Sequence, residues 1–203
     1  MKVRTESRRE AIIESAAQLF QEVGYGQASM NELAKRVGGS KTTLYAYFPS
    51  KESLFEAVIR THATSHLSEA TEGLKADAEE GVPVTEALMR FGERMLTVLT
   101  NDVRALAVYR LVIAEAGRSD VGELFHRSGP TESVAALGAF LRAAMGKGLL
   151  RTADPELRAK QFLALVTAEI EARVYARRSA PLSSPQIRKM VKRAVEMFLT
   201  GAA

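Results

Sequence analysis

Residues 29 to 51, SMNELAKRVGGSKTTLYAYFPSK, crowd two helix starts and two helix stops into 23 residues, so this stretch can form only short helices around a tight turn. Ser29 stands three residues before Glu32, the spacing of a capping box in which hydroxyl and carboxylate each satisfy the other residue's amide. A helix is expected from Met30, with Leu33, Ala34 and Val37 on one face. Gly38 can take up positive φ and end it. Ser40 offers a second N-cap, and a helix from Lys41 to Phe48 follows until Pro49 forbids continuation. Two helices joined by three or four residues make a helix-turn-helix.

The second helix is polar where a buried helix would be apolar. Leu44 and Phe48, one turn apart, form its obvious buried pair, which leaves Lys41, Thr42, Thr43, Tyr45 and Tyr47 for other surfaces. Those residue types suit DNA: lysine reaches phosphate or the acceptor edge of guanine, threonine a phosphate or a thymine methyl, and the tyrosine hydroxyl a phosphate oxygen. The helix starts at Ser29 and Ser40 add amides and a dipole that favour anions. Taken alone, the motif is also compatible with a simple packing hairpin.

The wider run from Arg8 to Ile59 has a first helix ending in Gly24-Tyr25, then LAKRVGGSKTTLYAYFPSKESLFEAV, with Thr43-Leu44-Tyr45 and Ser50-Lys51 its most specific parts. It resembles the DNA-binding domain of TetR-family transcriptional regulators. The resemblance implies that Ser29, Thr43, Tyr45, Tyr47 and Lys51 contact phosphate, and that Asn31, Lys41 and Thr42 lie closest to base edges. Gly39 and Thr42 stand where the family often has valine and glycine, and Thr42 leaves any inherited operator preference open.

Charge and composition narrow the setting. The 203-residue chain carries a net charge of +4, too mild to indicate a nucleic-acid binder alone. Residues 1–51 hold eight basic against five acidic side chains, which fits a DNA-facing segment; residues 131–203 hold twelve against six. Zero cysteines remove disulfides and thiolate metal sites and fit a reducing cytoplasm, the expected location. No signal peptide and no apolar run of about 20 residues is present, so no membrane partner is expected.

Along the chain, Lys2 and Arg4 suggest a short basic arm that can touch DNA. Ser7 and Glu10 repeat the capping-box spacing. Ile12, Ile13, Ala16, Leu19, Phe20 and Val23 then give an apolar stripe that packs on the helix-turn-helix. From Ser50 a helix is expected toward Lys75, followed by a linker over Ala76 to Gly81 and a new helix after Pro83. Apolar spacing predicts further helices through Val98, Ile113, Phe125 and Met145, and Leu111 to Gly148 resembles the ligand-binding domain of one TetR subgroup. Asp154-Pro155 opens a long helix through Val174 that ends at Arg177, Arg178 and Pro181, and Ser184-Pro185 opens the last. No strand pattern appears.

The expected class is therefore all-α: a helix-turn-helix DNA-binding domain over 1–50, a connecting helix over 51–75, and a helical ligand-binding and dimerisation domain within 51–203. The broad stripes of the last two helices can be buried against a second copy, giving a homodimer through residues 155–200; satisfaction within one subunit is the alternative. Phe91, Met95, Tyr109, Ile113, Phe125, Phe140 and Phe162 are candidates to line a site for an unknown, apolar or amphipathic small-molecule effector, though such residues equally make ordinary core. Glu115 can pair with a cationic ligand or face water. No cofactor is implied. The function expected is a ligand-responsive dimeric repressor on a double-stranded, pseudo-palindromic DNA operator. Alternatives are an activator or protein-sensing regulator of the same fold, or a helical metalloenzyme using His62 and His66, one turn apart.

Overall fold

The computed structural model describes residues 5–176 and 179–202; Lys2 and Arg4 of the arm, the Arg177-Arg178 helix end and the side chains of His66 and Ala202 lie outside the described residues. Among the described residues the chain is helical with no strand. The helices are α1 (Glu6–Gln27), α2 (Met30–Arg36), α3 (Lys41–Tyr47), α4 (Lys51–Ile59), α5 (Ser65–Glu79), α6 (Val84–Asn101), α7 (Val103–Glu115), α8 (Val121–Arg127), α9 (Pro130–Gly146), α10 (Pro155–Thr167), α11 (Glu171–Tyr175) and α12 (Ser184–Ala202). They gather into two compact units. One is the chain up to Ser65 with Ala107–Ser128; the other is His66–Leu106 with the chain from Gly129 onward. Contact thus groups 107–128 with the helix-turn-helix, a grouping that the motif-drawn border after residue 50 did not contain.

In the first unit the stripe of α1 packs on Leu33, Ala34, Leu44, Leu54, Phe55 and Val58. Phe20, Tyr25 and Phe55 form a ring cluster with centroids 4.8 to 5.5 Å apart. The start of α1 corrects the expected Ser7 cap: Thr5 is the N-cap, its Oγ1 accepting from the Arg8 amide at 3.3 Å. Thr5 prevails because its own amide donates to the Tyr47 hydroxyl at 3.0 Å, a link 42 residues long that local spacing cannot reveal. Gly24, at φ 78°, breaks the regular helix as expected, and one last turn follows.

The connecting helix also differs from expectation. A single π turn, Arg60–Thr64, separates α4 from α5, and Thr64 there donates its hydroxyl to the Ser128 carbonyl at 2.7 Å. Ala76 to Glu79, expected as linker, belong to α5. Asp77 is buried and accepts from Arg90 of α6 at 2.6 Å, a fixed ion pair that holds this last turn helical.

The second unit is built on α6, α9, α10 and α12. Phe162 is fully buried with ring centroids 6.4 Å from Phe91 and 5.2 Å from Phe198. α6 can approach α12 because Gly92 faces it: a Cβ there would stand 2.6 Å from Val191 Cγ1. The expected long helix from Pro155 stops at Thr167. The Thr167 hydroxyl bonds back to the Leu163 and Ala164 carbonyls at 3.0 and 3.3 Å, a competing interaction that bends helices. The chain turns and resumes as the short α11.

Phe162→Ala should destabilise the folded chain by about 3–5 kcal/mol. Denaturant unfolding checks this, and a loss under about 1 kcal/mol would show that the second unit does not rest on this aromatic cluster.

Candidate nucleic-acid interface

α3 buries Leu44 within its span and Phe48 at its C-cap. Pro49 and the Ser40 cap, whose Oγ accepts from the Thr43 amide at 3.0 Å, fix its two ends. Lys41, Thr42, Tyr45 and Ala46 are exposed, Thr43 and Tyr47 half-buried, and Asn31 is exposed on α2. The helix therefore shows solvent the residue types that suit phosphate and base edges.

Each remaining candidate already has a partner within the protein. Ser29 accepts from the Glu32 amide at 3.2 Å, so its hydroxyl proton is left to donate. The Glu32 carboxylate pairs with Arg36 at 2.8 Å, and Arg36 also meets Glu22 at 2.7 Å. Thr43 Oγ1 shares a 2.9 Å hydrogen bond with Ser40 Oγ. The Tyr47 hydroxyl accepts from Thr5 and keeps its proton for another acceptor.

Lys51 is placed differently from its expected phosphate role. Its ammonium donates to the Tyr25, Gly26 and Ala28 carbonyls at 3.0, 3.4 and 3.2 Å, and lies 4.4 Å from the Tyr25 ring centroid. Three donors meet three acceptors, and a lysine has no more. The reason is the break at Gly24: the end of α1 leaves carbonyls without helical partners, and Lys51 supplies them. Beneath it, burial raises the Tyr25 phenol above its ordinary range, helped by Glu52, which accepts from its hydroxyl at 3.3 Å. The Glu52 carboxyl is lowered, first by its own amide and then by the Ser50 hydroxyl.

Sequence reasoning gave α1 only a supporting role, yet its first turn reaches the reading helix. The Arg9 guanidinium lies 5.5 Å above the Phe48 ring, and Arg8 Nη2 donates to the Val37 carbonyl at 2.6 Å. A surface concavity of about 420 Å³ beside Tyr47 is lined by Arg9, Phe48, Glu56 and Arg60. No motif marked these arginines; they stand four residues before Ile12 and Ile13, which puts both half-buried side chains on the face of the apolar stripe and was the available signal.

The effector candidates divide. Phe91, Met95, Phe140 and Phe162 lie buried in the core of the second unit. Tyr109, Ile113 and Phe125 belong to the first, with Tyr109 and Phe125 rings 5.7 Å apart and Ile113 exposed. Glu115 lies against the α1 break, where a Cβ on Gly24 would stand 2.8 Å from its Oε1. His62 is 3.6 Å from Glu14 through Nε2 and Oε2. Among the described residues no three His, Cys, Asp or Glu side chains are grouped to hold a metal ion. No helix among them is long and apolar enough to cross a membrane.

Comparison with known proteins fits this geometry. Residues 12–58 match the family described as bacterial regulatory proteins, tetR family, and residues 86–201 match the AefR-like transcriptional repressor, C-terminal domain. The chain belongs to the TetR family. It is a DNA-binding transcriptional regulator with the all-α fold of that family. A TetR-family regulator from Mesorhizobium loti MAFF303099 superposes over 100% of both chains with a TM-score of 0.80 and 26% identity. The flavonoid-responsive regulator FrrA is 32% identical, with a TM-score of 0.73 and 98% of each chain covered. The transcriptional activator FasR of Mycolicibacterium smegmatis is 31% identical over 86 residues, 42% of this chain and 39% of FasR's length.

In this TetR-family protein Lys51→Met should cost about 1.5–3 kcal/mol, the range for charge-assisted hydrogen bonds. Thermal or denaturant unfolding reads it, and an unchanged midpoint would show that the ammonium is not what holds the end of α1.

Proposed function

We propose that the chain is a dimeric, effector-responsive repressor whose two α3 helices enter successive major grooves of a pseudo-palindromic operator, about 34–36 Å apart. The observation that carries this reading is the exposed polar side of α3, with Lys41, Thr42 and Tyr45 unburied while Leu44 and Phe48 anchor the opposite side. Asn31, Lys41 and Thr42 are assigned to base edges. Ser29, Thr43, Tyr45 and Tyr47 are assigned to phosphates, and Lys51 to holding α1 and α4 together.

The dimer is assigned to residues 155–200. Much of the α12 stripe, Ile187, Val191, Val195 and Phe198, is buried within its own unit. Leu157, Tyr175 and Met197 remain 52%, 72% and 65% exposed, apolar surface that a second copy can cover. The match to an AefR-like repressor domain favours repression; the likeness to FasR, an activator, supports activation as the second reading. The likeness to flavonoid-responsive FrrA supports an aromatic, amphipathic effector. Phe91, Met95, Phe140 and Phe162 would receive its apolar part, by parting rings that now pack on one another. Such an effector changes DNA affinity only by its differential affinity for two states of the dimer.

Selection from a random duplex library with the purified protein should recover an inverted repeat, with the protein sedimenting as a dimer. Lys41→Ala should cost about 1–3 kcal/mol at one base position of each half-site and relax the preference there. A monomer that enriches no sequence would refute the proposal.

A further inference from the structure

We propose that Arg8 is a phosphate-binding residue of the DNA interface, seated over the turn between α2 and α3 in space that Gly39 leaves open. The inference rests on the DNA-binding reading and extends it to a helix that the motif itself does not include.

Arg8 lies in the first turn of α1, and its Nη2 donates to the carbonyl of Val37, the C-cap of α2. Val37 to Ser40 is the turn that delivers the chain into α3. One residue group of α1 therefore brackets the reading helix. Thr5 bonds Tyr47 in its last turn, Arg9 covers Phe48 just past its end, and Arg8 holds the turn before its start. Tyr47 is among the residues assigned to phosphate, so this first turn of α1 stands beside the DNA-facing residues rather than behind them.

Charge separates Arg8 from its neighbours. Arg36 is offset by both Glu22 and Glu32, and Arg9 has Glu6 at 3.4 Å. The ion pairs among the described residues include none to Arg8, whose described partner is the neutral Val37 carbonyl. A guanidinium has five N–H donors in a planar fork, so one edge can stay on a carbonyl while another receives a phosphate oxygen. The positive charge is then available to the nucleic acid.

Gly39 is the second half of the device. A Cβ built there would stand 3.0 Å from Arg8 Nη2 and meets no other atom within 4 Å. Its φ lies outside the left-handed region, so the backbone does not itself demand glycine. What a larger side chain would displace is the guanidinium.

The test compares the full-length parent with Arg8→Gln, Gly39→Val and the double variant. Anisotropy of a labelled duplex recovered by random-library selection is followed between 50 and 200 mM salt, about the range over which phosphate contacts are read out. Arg8→Gln keeps a donor for Val37 and removes the charge. It should weaken binding about tenfold at low salt and reduce the salt slope by roughly two per dimer, one phosphate per subunit, with an unchanged unfolding midpoint. Gly39→Val should reproduce much of that loss in the parent and add nothing in the Arg8→Gln background. A parental slope for both single variants would overturn the assignment, as would additive losses in the double variant. If Arg8→Gln lowers the midpoint, the Gly39→Val slope decides alone. A parent that selects no duplex refutes the DNA-binding reading, and Arg8 with it, a failure distinct from one confined to the variants.

Discussion

The reading helix depends on the burial of two side chains. α3 has seven residues, far too few to persist alone in water. Leu44 and Phe48 pin it into the core of the first unit, and because they are its only fully buried side chains, its remaining surface need not serve the fold. The same constraint explains why its ends are tied so closely. Ser40 caps one, Pro49 closes the other, and the first turn of α1 bonds or stacks on Val37, Tyr47 and Phe48. A helix held by two apolar residues needs such ties to present its polar groups in one orientation, and orientation is what base recognition requires.

The support for that arrangement converges on the break in α1. Gly24 takes φ 78° and is approached by Glu115, so a side chain there would be strained and would push the Glu115 carboxylate aside. The break exposes carbonyls at Tyr25, Gly26 and Ala28, and Lys51 gathers all three. Tyr25 then packs between Phe20 and Phe55. The start of α4 is thus fastened to the end of α1 by an ammonium above and an aromatic cluster below. A residue that a motif alone would give to DNA is fully employed in the fold.

What the sequence made legible was local. Ser29, Ser40, Gly38 and Pro49 act over three or four residues, and the bounds of α2 and α3 follow from them. The same holds for the cap at Asp154. What it concealed was long-range or degenerate. Thr5 outcompetes Ser7 through Tyr47; Asp77 extends α5 through Arg90; Lys51 is claimed by carbonyls 23 to 26 residues away. The π turn at Arg60–Thr64 uses residues that an α-helix would accept equally. Thr167 ended a helix that apolar spacing carried through to Val174, because spacing does not register a hydroxyl bonding back to carbonyls. The effector candidates were chosen by size and apolarity, which core and pocket share, so the seven scattered over two units.

The central claim is that the exposed side of α3 occupies a major groove. Dimethyl sulfate tests it most directly, since it methylates guanine at N7 in the major groove and adenine at N3 in the minor groove. On a duplex bound by the intact protein, guanine N7 should be protected in two patches centred about one helical turn apart, with adenine N3 between them still reactive. Protection confined to adenine N3, or no guanine protection under full occupancy, would contradict it.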